Sequence, residues 1–280
     1  MKKRKVIIIA SIVGALILIM GVFAAMFNLQ NIRVEVLKNP EIIETMYGKN
    51  AEDKIIESGE FPYGSNTLFS TYKVNTQRIE KAYPFVKVQK LVRQFPDKMT
   101  IYVCGRLPEA IVKDSNKDNT YYVVDIDMKV LHTLSSVENI QNEAFKSLPV
   151  VTGTDITNFE VGDFIPITKS ADAIVSIVDG IYGKDKTKSS VMSDITIDLT
   201  TEKATIVLRN GELDGAVLEL NGFKNLKEKV FAAYTLYLQV ENDEQFPEKN
   251  KMKFIVLSNF APNFREWVTM TYDGETVERI

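Results

Sequence analysis

The chain has very few of the residues that most often build catalytic or metal centres. It contains one cysteine, Cys104, and one histidine, His132, among 280 residues. An internal disulfide is therefore impossible, which excludes a disulfide-stabilised secreted fold. A zinc site made of cysteine and histidine is excluded as well. A Ser-His-Asp triad would have to use His132, and no serine lies in a Gly-x-Ser-x-Gly elbow.

The common phosphate-binding and calcium-binding motifs are also missing. The sequence has no Gly-x-Gly-x-x-Gly and no P-loop. The segment Asp125-Ile126-Asp127 is superficially similar to a calcium loop, but it lacks the loop glycine and the closing glutamate, so it predicts a turn. We therefore expect no cofactor, no metal ion and no enzymatic activity. Because a carboxylate pair could be hidden among the many acidic residues, a cell-envelope hydrolase stays open as an alternative.

The net charge limits the classes of partner. The formal charge is −3 and the isoelectric point is about 5.5. The rest of the chain is more acidic still once the N-terminal basic cluster is set aside. An acidic surface disfavours nucleic acid, or an anionic lipid surface, as the main partner. We expect no nucleic-acid binding.

A long apolar run follows that basic cluster. Residues 2–5 are all lysine or arginine, and residues 6–27 carry no charge. As a helix this run would measure roughly 33 Å, enough for a hydrocarbon core of about 30 Å. The pattern predicts a cytoplasmic tail (1–5), one transmembrane helix (6–27) and a plasma-membrane protein whose C-terminal domains are extracytoplasmic. A cleaved signal peptide is the alternative, but its apolar region would be shorter, and residues 23–27 make a poor cleavage site.

Residues 29–113 predict a small α+β domain. Alternation of apolar and polar residues, helix caps and turn signals give the order strand, helix, helix, strand, strand. The connection over residues 38–49 is either a loop or a short additional helix. We expect two helices on one side of a three-stranded sheet. The predicted elements span residues 32–37, 50–59, 75–84, 86–94 and 99–104.

The polar loop at residues 113–119 predicts a boundary, followed by a larger domain over residues 114–260. We expect a mixed or antiparallel sheet with flanking helices. One helix should bury Ile174, Ile177, Val178 and Ile181 at i, i+3, i+4, i+7 spacing. A second should bury a stripe through Leu226, Val230, Tyr234 and Leu238. Residues 261–280 are predicted as a C-terminal strand and tail. The predicted fold class is thus α+β.

Five short motifs occur in a defined order along the chain. They are Tyr83-Pro84-Phe85-Val86, then residues 93–101 (RQFPDKMTI), 104–110 (CGRLPEA), 122–131 (YVVDIDMKVL) and 148–153 (LPVVTG). This ordered set resembles the FtsQ/DivIB family of bacterial cell-division proteins, over residues 1 to about 240. Gly105 stands where the family usually has glutamate, and Met128 where it usually has glycine. The connection after the first strand is also longer than is usual in the family.

The resemblance implies a fold and a role. The fold is a polypeptide-transport-associated (POTRA) domain followed by a β domain. The role is a non-enzymatic bitopic membrane scaffold of the divisome, located at the division septum. It would bind small bitopic coiled-coil proteins (FtsL-like and DivIC/FtsB-like) and help regulate septal peptidoglycan synthesis. Besides the hydrolase, a POTRA-type assembly or secretion factor is an alternative.

The C-terminal strands are the predicted partner-binding site. A protein rich in sheet can bind a partner by adding a strand to an exposed edge, and aromatic side chains commonly anchor such an interface. We expect Thr269 or Thr271 to direct backbone groups to the outer edge. The alternative for Trp267 is a place in the core. Two segments compete for the pairing edge, residues 253–258 and residues 267–272 followed by Asp273-Gly274; the second is similar to the final strand of the resembled family. The predicted site residues are Phe254, Val256, Trp267, Thr269, Thr271 and Tyr272.

Overall fold

A computed structural model describes residues 2–26, 28–64, 72–138, 140, 142–182, 191–210, 213–257 and 268–277. The chain divides into two compact units, residues 1–106 and 107–280. The division precedes the boundary predicted at residue 113, because Ala110–Lys113 is already a strand of the second sheet. The class is α+β, as predicted.

The first unit carries a three-stranded sheet with helices. Its elements are α1 (Lys2–Met26), β1 (Asn31–Lys38), α2 (Pro40–Tyr47), α3 (Ala51–Ser58), α4 (Lys73–Ala82), β2 (Val86–Gln94) and β3 (Lys98–Gly105). The strand order is β1-β3-β2, with β1 parallel and β2 antiparallel to β3. The side chains of Met99, Ile101 and Val103 on the central strand are buried, as are those of Ile55 and Ile79 on the helices.

The N-terminal helix does not meet the expectation of a membrane span. A helix that crosses a hydrocarbon core of about 30 Å needs about 20 consecutive, predominantly apolar residues. Within the part of the chain that the structure describes, no helix is both long enough and apolar enough to do so. The prediction of a transmembrane helix over residues 6–27 is therefore wrong. The plasma-membrane location, which depended on this helix, is left without support. The cytoplasmic tail (1–5) stays a prediction.

Helix α2 is the additional helix that the long first connection allowed. Proline begins it, where its fixed φ suits the first turn and no amide hydrogen is needed. It starts after Asn39, whose φ of 51° turns the chain back over the sheet. The Asn39 side-chain amide donates a hydrogen bond to the Gly105 carbonyl oxygen at 2.9 Å. The start of α2 thus lies directly against the end of β3.

The second unit is built on a mixed ten-stranded sheet. Its strands are β4 (Ala110–Lys113), β5 (Tyr121–Val124), β6 (Val130–Leu134), β7 (Val150–Thr152), β8 (Met192–Asp198), β9 (Lys203–Asn210), β10 (Leu213–Asn221), β11 (Met252–Val256), β12 (Val268–Tyr272) and β13 (Glu275–Thr276). Their order is β13-β12-β11-β10-β9-β8-β7-β4-β5-β6, and β7 runs parallel to both β4 and β8. The predicted C-terminal strand joins this sheet.

The helices of the second unit are α5 (Glu143–Lys146), α6 (Lys169–Tyr182) and α7 (Leu226–Val240), followed by a 3₁₀ turn (Lys249–Lys251). The stripe predicted for α6 is confirmed, since all four of its side chains are buried. In α7 the prediction is confirmed for Leu226, Val230 and Tyr234, which are buried, but it is wrong for Leu238, which is 40 % exposed. Tyr237, the residue before it, is buried instead. An α-helix has 3.6 residues per turn, so residues spaced four apart drift around its axis. By the fourth such residue the side chain no longer faces the core.

Candidate partner-binding edge

The C-terminal strands form one end of the large sheet. Strand β11 lies between β10, to which it is parallel, and β12, to which it is antiparallel. Strand β13 then pairs with β12 through the two-residue turn Asp273-Gly274. Both turn residues have positive φ, 50° and 86°, which is the geometry of a type I′ hairpin turn. An Asp-Gly pair suits this turn because both residues tolerate left-handed backbone angles.

Two backbone hydrogen bonds establish which residues of β12 point outward. The Val277 amide donates to the Met270 carbonyl at 3.0 Å, on the outer side of β12. The Asp273 amide donates to the Lys251 carbonyl at 3.1 Å, on the inner side. The backbone N–H and C=O groups of successive residues alternate between the two sides of a strand. The backbone groups of Val268, Met270 and Tyr272 therefore face the outer side. Thr269 and Thr271 face β11, so the expectation that one of these threonines offers its backbone to the outer edge is wrong.

The described residues cover only part of the outer side of β12. Strand β13 pairs with β12 at Thr271 and Tyr272. The strand pairing recorded for the described residues does not extend to the Val268 end of this side. An edge of this kind presents backbone donors and acceptors to a further strand. Among the described residues, none pairs with the outward-facing backbone of Val268.

The predicted site residues lie in different environments. The side chains of Phe254 and Val256 are fully buried, so they support the edge from the core and do not reach its surface. Thr269 is exposed, and Thr271 is half-buried. Tyr272 is half-buried too; its ring lies 5.2 Å from that of Phe246. Trp267 lies outside the described residues.

Ion pairs surround the base of this edge. Glu219 of β10 contacts Lys203 Nζ at 2.7 Å and Lys253 Nζ at 2.5 Å, which joins three adjacent strands. Burial would raise the pKa of Glu219, but the hydrogen bonds from the two lysines outweigh it and lower that pKa. Next to the hairpin turn, hydrogen bonds to Glu248 and then to Asp273 raise the pKa of Lys251.

The sequence contained a signal for the outward-facing residues. In a two-residue hairpin the residues that flank the turn form a hydrogen-bonded pair, so their backbone groups face the returning strand. The Asp273-Gly274 turn therefore assigns Tyr272, Met270 and Val268 to the outer side. Metal binding has no comparable signal: within the described ranges, no group of three or more His, Cys, Asp or Glu residues could hold a metal ion.

In comparisons with models of known protein families and with curated proteins, no match to this chain was found.

Proposed function

We propose that the chain is a non-enzymatic scaffold of the bacterial division machinery. It binds small coiled-coil division proteins, FtsL-like and DivIC/FtsB-like, at the septum and helps regulate septal peptidoglycan synthesis. The observation that carries the proposal is the outer side of β12 at Val268, whose backbone faces outward and on that side is not paired with any described residue. A partner strand laid there would form backbone hydrogen bonds that hold it in register.

Met128 gives separate support to the family relation on which the proposal rests. It stands where the resembled family usually has glycine, and its φ of 57° is in the left-handed region. Glycine adopts this region without steric strain, whereas other residues do so at a cost. Here the turn is held by hydrogen bonds from the Met128 amide to Asp125 O and from the Ile165 amide to Met128 O, at 3.0 and 2.9 Å. The backbone thus keeps the conformation that a glycine would favour.

Proline at Val268 tests the edge. Val268→Pro removes an outward amide hydrogen and leaves the β11–β12 hydrogen bonds in place. We expect the free energy of unfolding to change by less than about 1 kcal/mol. Affinity for the purified FtsL-like and DivIC/FtsB-like proteins of the same bacterium, measured by titration calorimetry, should fall about tenfold or more, because strand addition needs that donor.

Thr269→Pro is the matched control, one residue further along the strand. Its amide faces β11, so proline should break the internal ladder and lower the stability of the sheet end by about 2–3 kcal/mol. Circular dichroism melting separates the two effects. Binding of both coiled-coil proteins to folded Val268→Pro at wild-type affinity would contradict strand addition at β12.

Location in the cell tests the role independently of the edge. A fluorescent fusion of the full chain should concentrate at the septum of dividing cells, and depletion of the protein should give undivided filaments. A uniform distribution with normal division would contradict a divisome role. Release of peptidoglycan fragments by the purified chain would favour the hydrolase.

A further inference from the structure

The three-stranded sheet of the first unit has one face turned away from helix α2. Successive side chains of a strand point to opposite faces of its sheet. On β3 the odd-numbered residues from Met99 to Gly105 point to one face, and a Cβ at Gly105 would overlap Ile42 of α2. The even-numbered residues, from Lys98 to Cys104, therefore point to the opposite face.

Positively charged side chains from all three strands collect on this opposite face. Residues that pair across neighbouring strands project to the same face of a sheet. The register pairs the even-numbered residues of β3 with two cations of β1 and two of β2, and Lys98 is a fifth. The basic face, as we call it, thus carries Arg33 and Lys38 on β1, Lys87 and Lys90 on β2, and Lys98 on β3.

Few carboxylates oppose these cations. Glu35 pairs with Tyr102 and so projects to the basic face. Asp97, in the turn before β3, accepts a hydrogen bond from the Asn31 side-chain amide at 3.3 Å. The chain as a whole has a formal charge of −3. The positive potential of the basic face is therefore local and opposite in sign to the charge of the rest of the chain, which favours an anionic partner at this place.

The cations on β1 and β2 form two rows that flank the central strand. Neighbouring strands lie about 4.8 Å apart, so about 10 Å separates the two rows. Between them, Thr100 and Cys104 are short side chains and are almost completely buried. A chain of negative charges can lie along this strip with cations on both sides. The arrangement therefore fits a linear anion better than a flat anionic surface such as a lipid bilayer.

Tyr102 indicates which class of linear anion fits. Its side chain is half-buried in the central strip, and Lys90 Nζ lies over its ring, 4.6 Å from the ring centroid. Proteins that bind single-stranded nucleic acid stack bases on aromatic rings between cations. Here a cation of the chain itself covers the ring, which disfavours base stacking. A phosphate chain without bases needs only the cations.

We propose that the basic face binds a linear phosphodiester polymer without bases, of the poly(glycerol phosphate) type. The polymer would lie along β3, with its phosphates against the cation rows of β1 and β2. This site lies in the first unit and does not involve β12. Its failure would leave the proposed division role standing, and the reverse also holds.

The test uses the full chain and fluorescein-labelled poly(glycerol phosphate), with binding measured by fluorescence anisotropy. Uncharged polyglycerol of the same length is the matched control and should not bind. The logarithm of the affinity should fall against the logarithm of the salt concentration with a slope of about −2 to −3, because three or four neutralised phosphates contribute roughly 0.7 each. No binding, or equal binding of polyglycerol, would overturn the proposal. Tighter binding of single-stranded DNA or of phosphatidylglycerol vesicles would overturn the choice of a base-free polymer.

Neutralising three cations locates the polymer. The Arg33→Gln/Lys90→Gln/Lys98→Gln variant should stay folded, because all three side chains are exposed. Its affinity should fall about tenfold or more, and its salt slope should become shallower by about 2. The control, Lys49→Gln/Lys73→Gln/Lys81→Gln, removes the same charge at exposed positions outside the three strands and should keep the wild-type slope. Equal losses in both variants would mean non-specific attraction and would refute the site.

Glu35→Gln separates binding from a structural role of the charges. Removing the carboxylate from the basic face should tighten binding of the polymer about twofold to fivefold, because that carboxylate repels the phosphates. Glu44→Gln, at an exposed position of α2, is the matched control and should leave the affinity unchanged. Unchanged affinity in Glu35→Gln would contradict a polymer path beside the row of β1.

Discussion

Replacing Asp114 with alanine should lower the free energy of unfolding of the second unit by about 3–5 kcal/mol. Asp114 follows β4 directly, and its side chain is almost completely buried. Its carboxylate accepts five hydrogen bonds, from the amides of Asn116, Lys117 and Asn158 and from the hydroxyls of Tyr122 and Thr157. Truncation would leave several of these donors buried and unsatisfied.

Because the Asp114 carboxylate can be protonated, the stability lost in Asp114→Ala depends on pH. Burial would raise the pKa of Asp114, but the hydrogen bonds, above all that from Tyr122, outweigh burial and hold the pKa well below its usual value. A carboxyl with a lowered pKa stabilises the fold fully above its unfolded pKa of about 3.9, and this contribution is lost as the pH falls below that value. The deficit of Asp114→Ala should therefore be constant from about pH 5 to 7 and shrink in acid.

Urea unfolding at several pH values measures both effects. Asp118→Ala is the matched control, since Asp118 lies in the same loop but is exposed, and it should change stability by no more than about 0.5 kcal/mol. Wild-type stability in Asp114→Ala, or the same deficit at pH 3 as at pH 7, would show that the hydrogen bonds to this carboxylate contribute little.

Gly105→Ala is expected to destabilise the first unit by about 2–4 kcal/mol. A Cβ at this position would overlap the Asn39 carbonyl oxygen and Ile42 Cγ2. The isoleucine can be shortened, but the carbonyl belongs to the backbone at the start of α2. The effect of Gly105→Ala can therefore be measured both in the wild type and in the Ile42→Ala background. In the Ile42→Ala background Gly105→Ala should still lower the free energy of unfolding, but by less than it does in the wild type.

Hydrogen exchange read by mass spectrometry detects the change locally. Peptides from β3 and α2 should exchange faster in Gly105→Ala, whereas peptides from the second unit should not change. Gly105→Glu, which introduces the residue that the resembled family usually has, should be more disruptive than alanine because a longer side chain must leave the same space. If the α2 amides of Gly105→Ala exchanged as slowly as in the wild type, the helix would have shifted without losing stability, which would contradict the prediction.

Local patterns predicted local structure well. The α6 stripe and the hairpin formed by β2 and β3 follow from spacing and turn residues that lie close together in the chain. The parallel pairing of β1 with β3 joins residues far apart in sequence, which no local pattern encodes. The loop after β4 shows the same limit. Its composition predicted a solvated boundary, but Asp114 bonds Thr157 and Asn158, more than forty residues away.

The candidate edge was predicted in part. Strand β12 follows from alternation and from the Asp273-Gly274 turn. Burial of Phe254 in the neighbouring strand β11 involves α7, because the Tyr237 ring packs edge-to-face against the Phe254 ring at 6.1 Å. Phe254 was predicted as a contact residue because residues 253–258 form one of the two candidate edge strands, but its side chain belongs to the core. The basic face had no local sequence signal, because it forms only when β1 and β2 pair with β3.

The contact between α2 and Gly105 also implies the order in which two evolutionary changes could occur in this chain. The long first connection and Gly105, the two features in which the chain departs from the resembled family here, contact each other at the start of α2. A lineage that gained the helix while it still carried a side chain at this position would have passed through a poorly folded intermediate. A lineage that first lost the side chain would have kept a working fold at each step. Among relatives, a long connection should therefore occur only with glycine at this position, while glycine can occur with a short one.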